Sequence, residues 1–389
     1  MLKAILVDCI PRTMSKEEAD YHMSEAESLI KTYGGVVLVK RIQKRTFPDY
    51  RTYIGKGKLD EIIEESKTLD ANILIINNEL KPQQTYNLNE LLREAAGKKA
   101  KGHLEAWDRI DVILKIFQKH ATTREAKLEI ELASIKHMGP RIFGMGMQLS
   151  RQGGGIGTKG VGETNTEFMK RHLAKMERRI KDELDDCKKV RKLHRDGRKR
   201  QDIKTIGIIG YTNAGKTSLL NALTQKGAYA ADKLFATLDT RVGKMLLQDP
   251  SDPQNEKPDY QNFVLISDTI GFIQDLPTTL INSFQSTLEE TIEADLLIHV
   301  IDITDPRRSE KIDIVNDILA KIAALHKPTI YVFNKMDKAS AIDIDPKELA
   351  AQYKIFHPTF ISTYTGEGIA ELKKTIAERI LTKDRKSAK

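Results

Sequence analysis

The octapeptide Gly210-Tyr211-Thr212-Asn213-Ala214-Gly215-Lys216-Thr217 constrains this chain more than any other feature. It follows the apolar run TIGIIG and precedes TSLLNAL, so it reads as strand, tight loop and helix. Two glycines let the backbone wrap an anion. The loop amides and those of the following turn, including Ser218, then face phosphate oxygens at a helix N-terminus. Lys216 is positioned by this spacing to reach the β- and γ-phosphates, and Thr217 to offer its hydroxyl to Mg²⁺. A chain built around this loop is α/β, with helices flanking a mostly parallel sheet.

Two later motifs complete a nucleotide site. Asp268-Thr269-Ile270-Gly271 ends the run NFVLIS, which predicts a water-mediated magnesium partner in Asp268 and a γ-phosphate contact from the Gly271 amide. Asn334-Lys335-Met336-Asp337 closes the run TIYVF. A carboxylate at Asp337 can accept two hydrogen bonds from guanine N1 and N2, a pair adenine does not offer. Ser362-Thr363, after TFI, would face guanine O6 with main-chain amides. The three motifs in this order favour GTP/GDP over adenine nucleotides. Between the first two lies DKLFATLDT, where a threonine should close over Mg²⁺; Thr237 and Thr240 both qualify. Phe272 occupies the position where many small GTPases place a water-orienting glutamine, which predicts slow turnover unless something else completes the site. Asn213, inside the loop, is a candidate ligand for K⁺ beside the phosphates.

Upstream of this region, AILVDCI, GGVVLVKRI and ANILIINNEL read as strands alternating with helices, a small α/β unit over residues 1–105. RTYIGKGK reads as a turn opening a helix. Residues 106–200 carry two helical patterns. Leu128, Leu132 and Ile135 face a stripe of Met169, Leu173, Met176, Ile180, Leu184, Cys187 and Val190, which predicts an antiparallel hairpin with a stripe filled by core packing. A glycine-rich loop over about 144–163 is expected at its tip, with Thr164 and Glu167 spaced to cap the second helix. The guanine-binding domain is expected over 203–382, with 249–260 a loop and 383–389 a disordered tail.

Composition narrows the partners. The chain has 389 residues, too many for one ordinary core. No run reaches the roughly 18 apolar residues of a membrane helix, and the N-terminus lacks a secretory pattern. Cys9 and Cys187 make no metal-type spacing. The expectation is a cytoplasmic monomer. Net charge is +8, and residues 170–200 alone hold fourteen Lys/Arg against six Asp/Glu. Such a run reads either as a solvated helix face or as a phosphate-contacting rod.

Beyond these motifs, LFATLDT and DTIGFIQDLPTTLINSFQSTLEE, with IGKGKLDEI, NNELKPQQTYNL, TREAKLEIELA and LSRQGGGIGTKG upstream, resemble the HflX family of translation-associated GTPases over most of the chain. The resemblance implies that Thr237 is the threonine closing the site, so that Lys216, Thr237 and Gly271 act at the γ-phosphate. It implies the large ribosomal subunit and its rRNA as partner, with ribosome splitting or rescue under stress as the role. A nucleotide-gated checkpoint or assembly module, in which hydrolysis only times release, is the alternative. It also favours RNA contact for Arg151, Lys159, Arg171, Arg178, Lys188, Lys189, Arg191 and Lys192. Departures are small: Val161 stands where the family usually has proline, Asn165-Thr166-Glu167 where it has Gln-Leu-Glu, and Thr363 where it has alanine.

Overall fold

The structure is a computed structural model. It describes residues 1–97, 104–152, 161–224, 241–247, 263–269, 271–274, 280, 285–341 and 345–387. The chain divides into two compact units, Met1–Leu184 and Asp185–Lys389.

The first unit opens with β1 (Leu2–Ile10), α1 (Lys16–Tyr33), β2 (Gly35–Lys44), α2 (Lys56–Leu69), β3 (Ile73–Ile76), α3 (Pro82–Ala96), β4 (Glu105–Asp108) and α4 (Arg109–His120). All four strands are parallel, in the order β2-β1-β3-β4. β1 and β3 are continuous apolar runs because parallel strands are covered on both faces. Ile5, Val7, Leu74 and Ile76 pack against Leu59 and Ile62 of α2 and Leu88 and Leu92 of α3. Local signals set the helix ends: Ser15 caps α1 by accepting from the Glu18 amide at 3.1 Å, and Gly34 ends it at φ 102°.

Next come α5 (Arg124–Gln152) and α6 (Val161–Arg200). Leu128 and Leu132 pack with Ile180, joined by Ile135 and Leu184, and Arg124 pairs with Glu183 at 2.8 Å. The start of α5 therefore meets residues well along α6, the antiparallel pairing expected of a hairpin. Two expectations are corrected here. Within the span expected as loop, about 144–163, α5 continues to Gln152 and α6 begins at Val161, three residues before the expected cap at Thr164. Pro140 lies inside α5, but the next residue, Arg141, is buried and fixed by two carboxylates, which holds the helix through that point. The hydrophobic stripe of α6 is only partly filled. Ile180 is buried, whereas Met169 and Val190 are exposed. The glycines at 153–155, Lys159 and the Arg151 side chain lie outside what the structure describes.

The second unit carries β5 (Thr205–Gly210), α7 (Lys216–Thr224), β6 (Arg241–Leu246), β7 (Phe263–Asp268), α8 (Gln285–Glu293), β8 (Leu296–Asp302), α9 (Arg308–Lys321), β9 (Thr329–Asn334), α10 (Pro346–Gln352), β10 (Thr359–Phe360) and α11 (Ile369–Ser387). Strand order is β10-β9-β8-β5-β7-β6, parallel except for β6 against β7. The chain passes from β7 on one side of β5 to β8 on the other, so a ligand crevice opens at the carboxyl end of β5. One face of the sheet packs on Leu219, Leu220 and Leu223 of α7 and Leu372 and Ile376 of α11. The other packs on Leu288 of α8 and Val315, Ile318 and Leu319 of α9. The tail expected to be disordered from 383 is helical to Ser387, a continuation of α11. Both cysteines are free thiols. Among the described residues, no helix is long and apolar enough to cross a membrane.

Candidate nucleotide-binding site

The phosphate loop leaves β5 at Gly210 and enters α7 at Lys216. Three of its residues have left-handed backbones: Gly210 at φ 145°, Asn213 at 63° and Gly215 at 98°. At Gly210 a Cβ would lie 2.3 Å from the Val300 carbonyl oxygen, and at Gly215 2.2 Å from Asn334 Nδ2. Glycine is required at both positions by conformation and by space. The loop is joined to the segment after β7: the Thr212 amide donates to the Phe272 carbonyl at 2.8 Å, and the Phe272 amide to the Gly210 carbonyl at 3.1 Å. That pairing brings Gly271 against the Lys216 ammonium, where a Cβ would sit 2.8 Å from Nζ.

Lys216 is buried, with its ammonium donating to the Tyr211 carbonyl at 2.8 Å. Burial pulls its pKa down to about 8, against the opposing pull of the Asp268 charge. A cation held this way is stabilised by an incoming phosphate. The Thr212 hydroxyl is buried with no hydrogen-bond partner among the described residues, which also suits a ligand oxygen. Thr217 Oγ1 donates to Asp268 Oδ2 at 2.7 Å. Hydroxyl and carboxylate oxygens are the hard donors Mg²⁺ takes, and these two residues fit it. The Tyr211 side chain has partners of its own. Its hydroxyl accepts from the Gln274 amide at 2.8 Å, and Lys311 lies 4.4 Å over the ring.

The residues expected from the sequence to read the base converge on the same end of the sheet. Asn334 ends β9 and is 1% exposed. Its Nδ2 donates to the Ala214 carbonyl at 2.9 Å, and its Oδ1 accepts from the Thr363 amide at 3.1 Å. One carboxamide thus ties the phosphate loop to the loop after β10, a link across 120 residues that the motifs alone do not show. Asp337 Oδ1 accepts from Ser362 Oγ at 2.6 Å, and Ser362 Oγ in turn accepts from the Tyr364 and Thr365 amides at 3.3 and 3.1 Å. Lys335, at φ 70°, pairs with Asp302 at 2.6 Å. Phe272 is 1% exposed and packs with Ile209, Leu288 and Leu297, so its ring points into the core. Thr237, Thr240 and Ile270 lie outside the described residues.

The basic run of α6 is more occupied than its sequence suggests. Arg191 and Arg195 both meet Glu289 of α8 at 3.2 Å, and Lys188 meets it at 3.6 Å. Arg198 pairs with Glu290 at 3.6 Å and Lys199 with Glu293 at 3.2 Å. Lys189 pairs with Asp186 at 2.8 Å. Arg171, Arg178 and Lys192 remain exposed.

A second polar cluster lies in the first unit. Asp108, Asp111 and His137 bring ligand atoms within 4.8 Å of one another, but the Arg141 guanidinium is already among them, 2.8 Å from Asp111 and 2.5 Å from Asp108. The arrangement is an ion-pair network filled by its own arginine. Burial opposes charge on His137, yet hydrogen bonds to Asp108 and Asp111 outweigh it and raise the imidazole to about 9.

Comparison with known proteins agrees with this geometry. A family described as GTP-binding GTPase N-terminal matches residues 20–118, a GTP-binding GTPase middle region matches 120–198, and a 50S ribosome-binding GTPase matches 205–335. The GTPase HflX of Caldanaerobacter subterraneus subsp. tengcongensis is 42% identical over 335 residues, covering 86% of this chain and 72% of that one. The GTPase HflX of Escherichia coli K12 is 35% identical over 378 residues, covering 97% and 83%. The solved complex of SsGBP with GDP matches with a TM-score of 0.53 at 27% identity, covering 98% of this chain and 99% of its own. With a guanine-type nucleotide site assembled in one unit and these relatives spanning both, the chain belongs to the HflX family of GTPases.

Proposed function

We propose that this chain hydrolyses GTP to GDP and phosphate on the large ribosomal subunit, slowly alone and faster when bound, and that its GTP state helps separate or rescue stalled ribosomes. Phe272 carries the reading. The residue following Asp268-Thr269-Ile270-Gly271 has its ring sealed in the core, so it cannot orient an attacking water, and a partner must complete the site. The description of the family matched over 205–335, a 50S ribosome-binding GTPase, supports the large subunit as that partner.

In this reading the loop Gly210–Thr217 and the Ser218 amide cradle the phosphates, and Lys216 neutralises the β- and γ-oxygens. Thr217 and Thr237 would hold Mg²⁺ directly and Asp268 through water; the ion supplies charge neutralisation at the transferring phosphoryl group. Gly271 would offer its amide to the γ-phosphate. Asp337 selects guanine, with Asn334, Lys335, Ser362 and Thr363 shaping the base pocket. Asn213 would lend its amide oxygen to K⁺.

The test is GTP hydrolysis with and without purified large subunits in potassium buffer, followed by subunit separation with a non-hydrolysable GTP analogue. Stimulation together with separation supports the reading. Binding without stimulation would leave the checkpoint role, and no binding at all would remove the ribosome as partner.

A further inference from the structure

The loop between β2 and α2 is built unlike a surface loop whose only task is connection. It presents Phe47 at 78% and Tyr50 at 83% exposure, two of the most exposed large side chains among the described residues. Neither ring makes a ring contact there. Such exposure normally accompanies loose chain, but this loop is pinned. Asp49 Oδ1 accepts from the Arg51 and Thr52 amides at 2.9 and 3.2 Å. Asp49 and Tyr53 exchange backbone hydrogen bonds, both at 2.9 Å. Gln84 and Asn87 of α3 donate to the Asp49 and Arg51 carbonyls, each at 2.9 Å, and Gln43 accepts from the Gly55 amide at 2.8 Å. The rings are held in the open by a rigid frame, so little ordering entropy opposes their use.

The segment carrying the rings also carries exposed cations. Arg51 and Lys56 are exposed and have no ion-pair partner among the described residues, while the carboxylate nearest the rings, Asp49, is engaged by the loop's own amides. α2 starts here without a side-chain cap and without an acidic residue in its first turn. A Cβ at Gly57 would meet nothing within 4 Å, so the approach to that turn is open. A helix N-terminus alone marks no site. Here it adjoins two unpaired cations and two bare aromatic faces.

We propose that Phe47 and Tyr50 stack on unpaired bases of a single-stranded RNA whose phosphates are held by Arg51, Lys56 and the first turn of α2. Aromatic faces with interleaved cations suit flipped-out bases on a phosphate backbone. A membrane surface would call for a broader aliphatic face, and duplex RNA would leave the rings without a stack. The contact takes its RNA source from the ribosomal reading above, but it is tested on free oligonucleotide and stands or falls separately from large-subunit binding.

The experiment uses the full chain with GDP and a fluorescein-labelled single-stranded RNA of about twelve nucleotides, read by anisotropy, with a fully paired RNA of equal length alongside. F47A/Y50A should weaken the single strand by about tenfold or more and the duplex far less. F47W/Y50W should bind like the unaltered chain, and R51E/K56E should flatten the salt dependence. Affinity for fluorescent GDP and the circular-dichroism melt should be unchanged in all three. Unchanged single-strand affinity in F47A/Y50A, or an equal loss in F47W/Y50W, would overturn the assignment. So would absence of binding by the unaltered chain, or aromatic variants that lose binding only to RNA-free large-subunit proteins.

Discussion

Thr217 Oγ1 and Asp268 Oδ2 lie 2.7 Å apart, joining the first turn of α7 to the last residue of β7. The two groups that would bracket Mg²⁺ are therefore already in register. Thr217→Ala and Asp268→Asn should each lower Mg²⁺-dependent GTP affinity by about 10- to 100-fold. Titrating Mg²⁺ against fluorescent GTP checks this. Equal Mg²⁺ dependence in wild type and both variants would remove these residues from the metal site.

Lys216 gives nucleotide binding a pH signature. Burial lowers its pKa to about 8, so part of its charge is lost near that pH in the free protein. A bound phosphate restores the charge, and binding should take up a proton at pH 8–8.5 but not at pH 7. Calorimetry in buffers of different ionisation enthalpy measures the uptake. In the free protein, a lowered lysine pKa also means that stability rises as pH climbs from about 8 toward the unfolded value of about 10.4.

Asp337 accepts from Ser362 at 2.6 Å and is the carboxylate proposed to select guanine. Asp337→Asn would offer a donor where guanine N2 also donates. GTP affinity should fall on the order of a hundredfold, and xanthosine triphosphate, which carries an oxygen at that carbon, should bind better than GTP. Competition binding decides; unchanged preference would exclude Asp337 as the selecting group.

Asn213 sits at φ 63° and is exposed at the lip of the loop. If its amide oxygen holds K⁺, hydrolysis should be faster in KCl than in NaCl, and Asn213→Ala should erase the difference. Equal rates in both salts with the unaltered chain would dispose of the ion.

His137 should make the first unit sensitive to alkali. Its pKa is raised to about 9, so its stabilisation is fully present below about 6.5 and is lost as pH rises through about 9. The contribution is on the order of 3 kcal/mol at most. His137→Gln should melt earlier than wild type at pH 6 and converge with it at pH 9.5. Parallel melting curves across that range would refute the clamp.

The placement of the three motifs was legible because each motif is local and its neighbours declare a strand end. Gly210–Thr217, Asp268 and Asn334–Asp337 all fall where such runs predict. Other features depend on distant partners. β4 has four residues, Glu105–Asp108, too few for a period, and exists because it pairs with β3. The helix through Pro140 and Gly144 defies its breakers because Arg141 is fixed by Asp108 and Asp111, some thirty residues earlier. The basic face of α6 reads as free charge until Glu289, Glu290 and Glu293 come to meet it.

The Asn334 carboxamide carries a further consequence. It donates to the phosphate loop and accepts from the loop after β10. Guanosine and pyrophosphate, offered as separate molecules, would each order a loop that the carboxamide joins to the other's subsite, and each should bind more tightly when the other is present. Grip on the two ends of the nucleotide is then a cooperative property of one side chain, and a change at position 334 would loosen both ends together.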